Sequence, residues 1–538
     1  MKILDYTLSA RKITVLEIGL IVTTAIIPLF LDFPYRINLF LAWEGAFRLS
    51  NGEIPYRDFG SPVGYGFWIL PAIFFKIFGP YVYTLLVVQA FINICSGLLF
   101  RALLRLFSIP AGVTFLALVV YCLSYSMFNF WPWYNHLVFV FELAGLYFLC
   151  RELLRNEGER KIPALIASAF FIALSFMTKQ DTGALGFLIA LALLGYDWIL
   201  LRNLRAALIF VVAYVFWMCL MILPFTAYEF GYWFNLGQFP HNARVDKFDI
   251  VNEFLGASNL IKFYLIFLVV IVLFRLKEVT SVKDDRGWFL FAFLVLCILG
   301  QAAIIQVTSY TPLDGNIYFH SFAFAFIGYH FSKLINVQKA AYLAVLTFLV
   351  CLWWSGVFWT RFLKERVEKF LVKDKSSREN VISKRTYLLS ADTLSHSRSK
   401  WIVPELESFK HVRVPEGTAL GIQQLMELPV SQKEGLKMLN MSELTPLAYD
   451  MGYELERGAA QPLWFHKGVS FFEREVQTYC ERVSKQEYDI ILFEDIPNVN
   501  QFYPYEVRDC IKEHYTFKFK FLAPRVPEIS YIEVYTKE

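Results

Sequence analysis

Long runs of apolar residues, separated by short polar segments, make up the first two thirds of the chain. A helix that crosses a bilayer needs about 20 mainly apolar residues. The pattern therefore predicts about eleven membrane-spanning helices. The predicted spans cover 13–31, 81–100, 110–128, 137–150, 162–177, 183–201, 206–227, 260–274, 288–307, 317–332 and 340–359.

One further apolar run, over 67–78, is shorter than the others. It contains Pro71 and Lys76, and a Gly79-Pro80 break ends it. Because it falls short of the length that a span needs, we predict a helix lying in the membrane interface. An additional span is the alternative.

The composition is that of a polytopic α-helical membrane protein. Of the 538 residues, 57% are hydrophobic and only 18% are charged, and the mean hydropathy of +0.45 is too high for a soluble globular protein. A cleaved signal peptide is not expected, because the first apolar run is too long and no small-residue cleavage site follows it. The net charge of +4 is mild and argues against a nucleic-acid partner.

Lysine and arginine are enriched in alternate loops, which indicates how the chain is oriented. Cytosolic loops carry the excess of these residues, and here one set of loops holds about twice as many as the other. The rule predicts a cytoplasmic N-terminus. We expect the membrane to be a bacterial inner membrane. With an odd number of spans, the C-terminal part would be periplasmic or extracytoplasmic.

The character of the chain changes near residue 360. We predict a transmembrane domain over 1–360, a charged helical connector over 361–399, and a small mixed α/β extracytoplasmic domain over 400–538. Strand character in this last domain is found at 418–422, 488–495, 515–524 and 529–537.

Two cysteines, Cys480 and Cys510, lie in predicted helices of the C-terminal domain. An extracytoplasmic location would allow them to form a disulfide, although two cysteines on separate helices do not establish one. The domain has no glycine-rich nucleotide loop and no Cys/His spacing typical of a metal site.

The first outer loop carries the most informative charges. They follow the first span directly, at the water interface, where a lipid headgroup could reach them, whereas a transporter would usually keep such charges near the middle of the membrane. This placement suggests chemistry on a lipid-linked substrate. The charged residues are Asp32, Arg36, Glu44, Arg48, Glu53, Arg57 and Asp58.

The same region resembles a known family. Residues 51–59 read NGEIPYRDF, residues 61–66 read SPVGYG, and an apolar helix ending in Phe78-Gly79-Pro80 follows. This part of the chain, roughly 13–105, is similar to membrane glycosyltransferases that use polyprenyl-phosphate sugars (the GT-C fold, which includes protein O-mannosyltransferases and lipid A aminoarabinose transferases). The resemblance implies that a first-loop carboxylate acts as the catalytic base or helps to hold a metal.

The chain departs from the family at one position. The family's acidic residue commonly precedes the glycine of the G-x-x-P-Y-x-D stretch by about fourteen positions, and Asn38, which cannot act as a base, stands there. Glu44, Asp58 and Asp32 are the candidates to replace it. We favour Glu44, because a helix over 37–50 would place Arg48 one turn away, where it could keep the carboxylate ionised.

Each carboxylate also has a structural alternative. Glu44 and Arg48 could form a simple surface pair, which contributes little. Asp58 could stabilise a turn through backbone N–H groups. Asp32 could have no role beyond lying where the chain leaves the membrane.

Basic residues are candidates to bind the donor phosphate. Arg57 has the fork geometry that suits a phosphate. Lys179 and Gln180 lie in a polar turn between two apolar helices, and Lys is a compact phosphate binder. The alternative for Lys179 is a side chain that extends to the interface from a helix end. Arg244 lies in the longer outer loop 229–259, which could close over the donor or hold the acceptor.

Two histidines are further candidates for substrate binding. His136 ends the aromatic outer loop 131–136, which could stack on a sugar or form part of an interfacial aromatic belt. His320 lies in an otherwise apolar helix, where a polar ring needs a partner. That partner would be the lipid phosphate or a neighbouring helix.

The sequence and this resemblance therefore predict an inverting glycosyltransferase whose active site lies on the outer face of the membrane. It would move a hexose or pentose from a polyprenyl-phosphate donor to a glycan, lipid or protein acceptor. A divalent cation, Mg²⁺ or Mn²⁺, could be held by Glu44 or Asp58, although the sequence does not require one.

Two other classes stay open. An outer-face glycan polymerase or ligase would typically place its arginines in a large later loop, whereas the charges here are densest in the first. A lipid or glycan transporter should show internal repeats and interrupted helices in matching halves, and neither is evident in the sequence.

Overall fold

The computed structural model describes residues 6–36, 38–61, 63–126, 129–234, 247–308, 318–359, 367, 401–458, 462–463, 465, 467, 471–497, 503–525 and 529–537. The connector predicted over 361–399 lies outside these residues except for Val367. The boundaries predicted at 360 and 400 therefore stay predictions.

Helices dominate the chain before residue 360, and each predicted span coincides with one of them. The helices are α1 (Ala10–Ile26), α2 (Leu39–Ser50), α3 (Gly66–Phe78), α4 (Val82–Leu106), α5 (Ala111–Ser124), α6 (Tyr134–Leu153), α7 (Ile162–Phe176), α8 (Gln180–Leu201), α9 (Arg205–Ile222), α10 (Gly231–Phe234), α11 (Lys247–Gly256), α12 (Asn259–Glu278), α13 (Arg286–Thr308), α14 (Tyr318–Phe331), α15 (Ala340–Trp353) and α16 (Ser355–Phe358).

By length and composition, 6 helices of the described residues could cross a membrane. The protein is thus a mainly helical, multi-pass membrane protein. The larger number of about eleven spans stays a prediction. The qualifying segments are Ala10–Phe30, Val82–Leu106, Gln180–Leu201, Arg205–Phe225, Asn259–Glu278 and Val282–Val307.

Strands and further helices make up most of the described part of the C-terminal region. The helices are α17 (Glu416–Met426), α18 (Leu447–Met451), α19 (Phe472–Ser484) and α20 (Tyr505–His514). The strands of this region are β2 (Trp401–Ile402), β3 (Val412–Pro415), β4 (Met438–Met441), β5 (Ile490–Asp495), β6 (Thr516–Leu522) and β7 (Tyr531–Thr536). Strand β1 (Phe33–Pro34) lies near the N-terminus.

The chain divides into two compact units. The helical unit comprises Met1–Ile27, Gln89–Ile222 and Ala243–Lys373. The mixed unit comprises Pro28–Val88, Leu223–Asn242 and Asp374–Glu538. The first outer loop therefore belongs to the same unit as the C-terminal region.

The helical unit is a bundle with one continuous apolar core. Within it α7 packs against α6 and α9, while α5 packs against α1, α14 and α15. Three of its buried carboxylates, Glu17, Glu152 and Asp197, pair with arginines. Glu17 of α1, for example, accepts hydrogen bonds from Arg101 at 2.6 Å and Arg105 at 2.7 Å.

The mixed unit contains two sheets. In the larger sheet the strand order is β4-β5-β7-β6, and only β4 and β5 run parallel. In the smaller sheet β1, from the first outer loop, pairs in parallel with β3, and Phe33 lies opposite Val412. A disulfide joins Cys480 of α19 to Cys510 of α20, with Cα atoms 5.6 Å apart.

The strand predicted over 418–422 is wrong, because these residues lie within α17. The buried residues Thr418, Ile422 and Leu425 recur at helical spacing and form one face of that helix. Gly421 lies on the same face, and a Cβ there would come within 2.1 Å of the Phe521 ring, so the glycine allows close packing against β6. Five residues were too few for the two periods to be distinguished in the sequence.

The α2–α3 pair supports the first outer loop. The Trp68 indole N–H donates to the Leu41 carbonyl at 2.9 Å, and both Trp43 and Trp68 are fully buried. A Cβ on Gly45 would lie 2.2 Å from the Trp68 ring. The two helices can therefore approach each other only because residue 45 has no side chain.

We expect Gly45→Ala to destabilise the protein by about 1–3 kcal/mol, since the added methyl group must displace a buried indole. The measurement is thermal unfolding in detergent, followed by tryptophan fluorescence. Gly19→Ala in α1 is the matched control, because a Cβ there meets nothing within 4 Å. An unchanged transition for Gly45→Ala would contradict the packing of α2 on α3.

Candidate functional site

Arg48 is the centre of a buried charge cluster in the mixed unit. Its guanidinium donates to Glu44 Oε1 from Nε at 2.9 Å and from Nη2 at 2.8 Å. Nη1 donates to Glu53 Oε2 at 2.8 Å and to the Glu456 carbonyl at 2.7 Å. Glu44, Arg48 and Glu53 are 5%, 3% and 8% exposed. The predicted helical spacing of Glu44 and Arg48 is thus present, but the pair is buried rather than on the surface.

The two oxygens of Glu44 have different environments. Arg48 occupies Oε1, whereas Oε2 receives no hydrogen bond from any residue that the structure describes. Burial raises the pKa of Glu44, and the Arg48 charge and hydrogen bonds oppose that increase. A carboxylate held by one oxygen and open at the other is suited to accept a proton.

Asp58 and Arg57 form a bidentate pair with each other. Arg57 Nε and Nη2 donate to the two Asp58 oxygens at 2.8 and 2.7 Å. The Ile54 N–H also donates to Asp58 Oδ2 at 2.7 Å, so Asp58 also stabilises the turn in which it lies. The Arg57 hydrogen bonds are the main reason why the pKa of Asp58 is lowered. Arg57, whose side chain is 45% exposed, is the accessible member of the pair.

Asp32 lies at the start of the mixed unit. Its carboxylate accepts a hydrogen bond from Arg413 at 2.7 Å, beside the β1–β3 pairing. This contact gives Asp32 a position in the unit, while a catalytic role for it stays a prediction.

A carboxylate that the sequence did not indicate lies beside Asn38. The Asn38 N–H donates to Glu443 Oε2 at 2.9 Å, so an acid from the C-terminal region contacts the backbone of this residue. Arg525 donates to Glu443 at 2.9 Å and to Glu494 at 3.0 Å. Burial raises the pKa of Glu443. Sequence reasoning missed this group because the two partners are 405 positions apart.

The candidate phosphate-binding residues Lys179 and Gln180 lie at the start of α8 in the helical unit. Lys179 Nζ is 3.0 Å from Asp181 Oδ2. Asp181 Oδ1 also accepts from the Thr182 N–H at 2.7 Å. The lysine therefore lies against a carboxylate and would have to exchange it for a phosphate oxygen.

The two candidate histidines are both buried in the helical unit, each 2% exposed. His320 Nδ1 lies 2.9 Å from the Tyr264 hydroxyl, which is the geometry of a helix-to-helix hydrogen bond. His136 Nδ1 lies 3.3 Å from the Gln89 amide, below the surface of the unit rather than at a rim. Arg244, with 235–246, lies outside the described residues.

A buried acid in the helical unit was also missed. Glu142, in the middle of α6, accepts a hydrogen bond from Gln301 at 2.7 Å and lies 3.3 Å from the Tyr318 hydroxyl. The hydropathy pattern does not indicate it, because one acidic residue hardly changes the mean hydropathy of an apolar helix. An acidic residue within such a helix is a signal that could have been followed.

The predicted site residues thus fall into two groups. Glu44, Arg57, Asp58 and Asp32 lie in the mixed unit, and Lys179, Gln180, His136 and His320 lie in the helical unit. Among the described residues, no group of three or more His, Cys, Asp or Glu side chains could hold a metal ion. Since arginines engage Glu44 and Asp58, their present arrangement does not fit a divalent cation.

Comparison with known proteins gives structural similarity only. No protein-family model matches the sequence, and no curated protein matches it. The arabinofuranosyltransferase AftD from Mycobacteria is similar at a TM-score of 0.48 and 14% identity, over 99% of this chain and 40% of AftD. ArnT from Cupriavidus metallidurans, in a structure with undecaprenyl phosphate, is similar at a TM-score of 0.47 and 12% identity, over 97% of both chains.

Arg48→Met removes the only cation that bridges Glu44 and Glu53 in the described structure. We expect a loss of about 3–5 kcal/mol near neutral pH, because two buried carboxylates then lack their main counter-charge. Burial raises the pKa of Glu44, so the folded variant binds protons more tightly than the unfolded chain. The loss should therefore shrink as the pH falls from about 8 to about 5, and grow as it rises.

Thermal unfolding of both proteins across that pH range measures the effect. Arg57→Met is the control, since its exposed pair with Asp58 should contribute little to stability. Equal unfolding temperatures for Arg48→Met and the unmodified protein at every pH would rule out a charged Arg48 cluster.

Proposed function

We propose that the protein is an integral-membrane glycosyltransferase. It transfers a sugar from a polyprenyl-phosphate donor to a glycan, lipid or protein acceptor on the outer face of the membrane, with inversion. The resemblance of the first outer loop supports this proposal. The observation that carries it is the buried Glu44 carboxylate, which Arg48 fixes at Oε1 and to whose Oε2 none of the described residues donates a hydrogen bond.

Glu44 would act as the general base. The acceptor hydroxyl gives its proton to Glu44 Oε2 and forms a bond to the anomeric carbon of the sugar. The bond from that carbon to the phosphate oxygen breaks, and its electron pair leaves with the polyprenyl phosphate. Arg48 keeps the carboxylate ionised and oriented, so that the proton transfer needs no rearrangement of the base.

Charge stabilisation at the leaving phosphate would come from Arg57, which lies in the same unit as Glu44. Its guanidinium now pairs with Asp58. A phosphate offers more acceptor oxygens than a carboxylate and would compete for the same donors. A divalent cation could supply the same stabilisation, but no step is assigned to it, because arginines already engage Glu44 and Asp58.

The C-terminal region would contribute to the choice of acceptor. Within the mixed unit, Arg48 bonds the Glu456 carbonyl and Glu53 pairs with Arg457 at 3.1 Å. The segment around residue 456 therefore borders the candidate base. An acceptor that approaches Glu44 would meet that segment.

The test is release of undecaprenyl phosphate from a panel of undecaprenyl-phosphate pentoses and hexoses, with acceptor extracts present. We expect the purified protein to release it, and Glu44→Gln to lower the rate by about 10²–10⁴-fold, the usual contribution of a general base. Glu481→Gln makes the same change on the exposed part of α19 and should leave the rate unchanged.

Other outcomes have distinct meanings. A Glu44→Gln protein with full activity would move the base to Asp32 or Asp58. No release from any donor by the unmodified protein would refute the proposal and favour a polymerase, ligase or transporter.

A further inference from the structure

A chain of buried amides and an imidazole links α4 to α6 within the helical unit. Its members are Gln89, Asn93 and His136, which are 1%, 4% and 2% exposed. Buried polar side chains are costly unless their hydrogen bonds are made. The direction of each bond in this chain can be deduced from partners that only accept or only donate.

Asn93 determines the direction of the hydrogen bonds at its end of the chain of side chains. Its Nδ2 donates to the carbonyls of Ser126 at 3.1 Å and Asn129 at 3.2 Å. Because a carbonyl can only accept, the amide nitrogen must face these two groups and Oδ1 must face Gln89.

The orientation of Gln89 then determines which nitrogen of His136 carries the proton. Gln89 Nε2 donates to Asn93 Oδ1 at 2.8 Å, so the same nitrogen is the atom that lies 3.3 Å from His136 Nδ1. An amide nitrogen only donates, so Nδ1 must accept. The imidazole is therefore neutral and carries its proton on Nε2.

Two atoms remain at the end of this chain of bonds. His136 Nε2, a donor, and Gln89 Oε1, an acceptor, are buried and have no hydrogen-bond partner among the described residues. They belong to two groups that contact each other, so a single small ligand could reach both. The Tyr125 ring, 4.4 Å from the His136 ring, packs against the imidazole.

We propose that Gln89 and His136 bind a hydroxyl group of the donor's sugar. A hydroxyl donates and accepts at once, which matches one free acceptor and one free donor. A phosphate only accepts and would be repelled by Gln89 Oε1, and an ammonium group would be repelled by the His136 N–H. Gln89 is thus a residue that selects for the sugar rather than for the lipid phosphate.

This inference rests on the proposed function and deepens it, because it separates recognition of the sugar from recognition of the phosphate. A buried water molecule offers the same hydroxyl chemistry. A sugar can be distinguished from water by comparing two lipids that differ only in the sugar.

The experiment measures binding of undecaprenyl phosphate, and of the undecaprenyl-phosphate pentoses and hexoses, to the full-length protein in nanodiscs. We expect Gln89→Met to weaken binding of the sugar-carrying lipid by roughly three- to tenfold, the value of one hydrogen bond. Binding of bare undecaprenyl phosphate should change less than about twofold. His136→Phe, which keeps a ring against Tyr125, should give the same pattern and replaces Gln89→Met if that variant does not fold.

Ser168→Ala is the matched control. It removes a buried hydrogen bond of 2.8 Å from Ser168 to the Gly145 carbonyl in the same unit, and should leave both affinities unchanged. Equal effects on the two lipids, or no effect of Gln89→Met, would assign the pair to a buried water and overturn the inference. If the unmodified protein binds neither lipid, the proposed function fails and this assignment fails with it.

Discussion

The guanidinium of Arg48 is buried among two carboxylates and a backbone carbonyl, and the first outer loop is organised around it. A buried cation is destabilising unless its donors are satisfied. Here the acceptors come from α2, from Glu53 just beyond that helix, and from the Glu456 carbonyl in the C-terminal region. The position of Glu44, and with it the candidate base, depends on this one group.

In three charge clusters of the mixed unit, one arginine pairs with two carboxylates. Arg48 bridges Glu44 and Glu53, Arg525 bridges Glu443 and Glu494, and Arg508 bridges Asp495 and Glu533.

In three charge clusters of the helical unit, one carboxylate pairs with two arginines. Glu17 pairs with Arg101 and Arg105, Glu152 with Arg151 and Arg155, and Asp197 with Arg160 and Arg286. The three clusters of the mixed unit thus carry a net negative charge, and the three of the helical unit carry a net positive charge.

Local features were predictable from the sequence, and distant pairings were not. Hydropathy located the helices that correspond to the predicted spans, and i,i+4 spacing placed Arg48 beside Glu44, because both signals lie within a few turns of chain. The contact between Asn38 and Glu443 joins segments far apart in sequence, and no local pattern encodes it. The orientation of Gln89 depends on carbonyls of another segment, so the Gln89 Oε1 and His136 Nε2 atoms that have no partner among the described residues could not be anticipated. The segment 418–422 was too short for its period to be decided.

The parallel pairing of Phe33 with Val412 has a consequence for how the protein is made. A two-residue strand near the N-terminus completes its sheet only with a strand that the ribosome adds almost four hundred residues later. The first outer loop would therefore be synthesised well before Arg413 and Arg457, which pair with its Asp32 and Glu53. Assembly of the candidate site would be among the last events of biogenesis, so a chain whose synthesis stopped near residue 360 would insert its helices without completing the site.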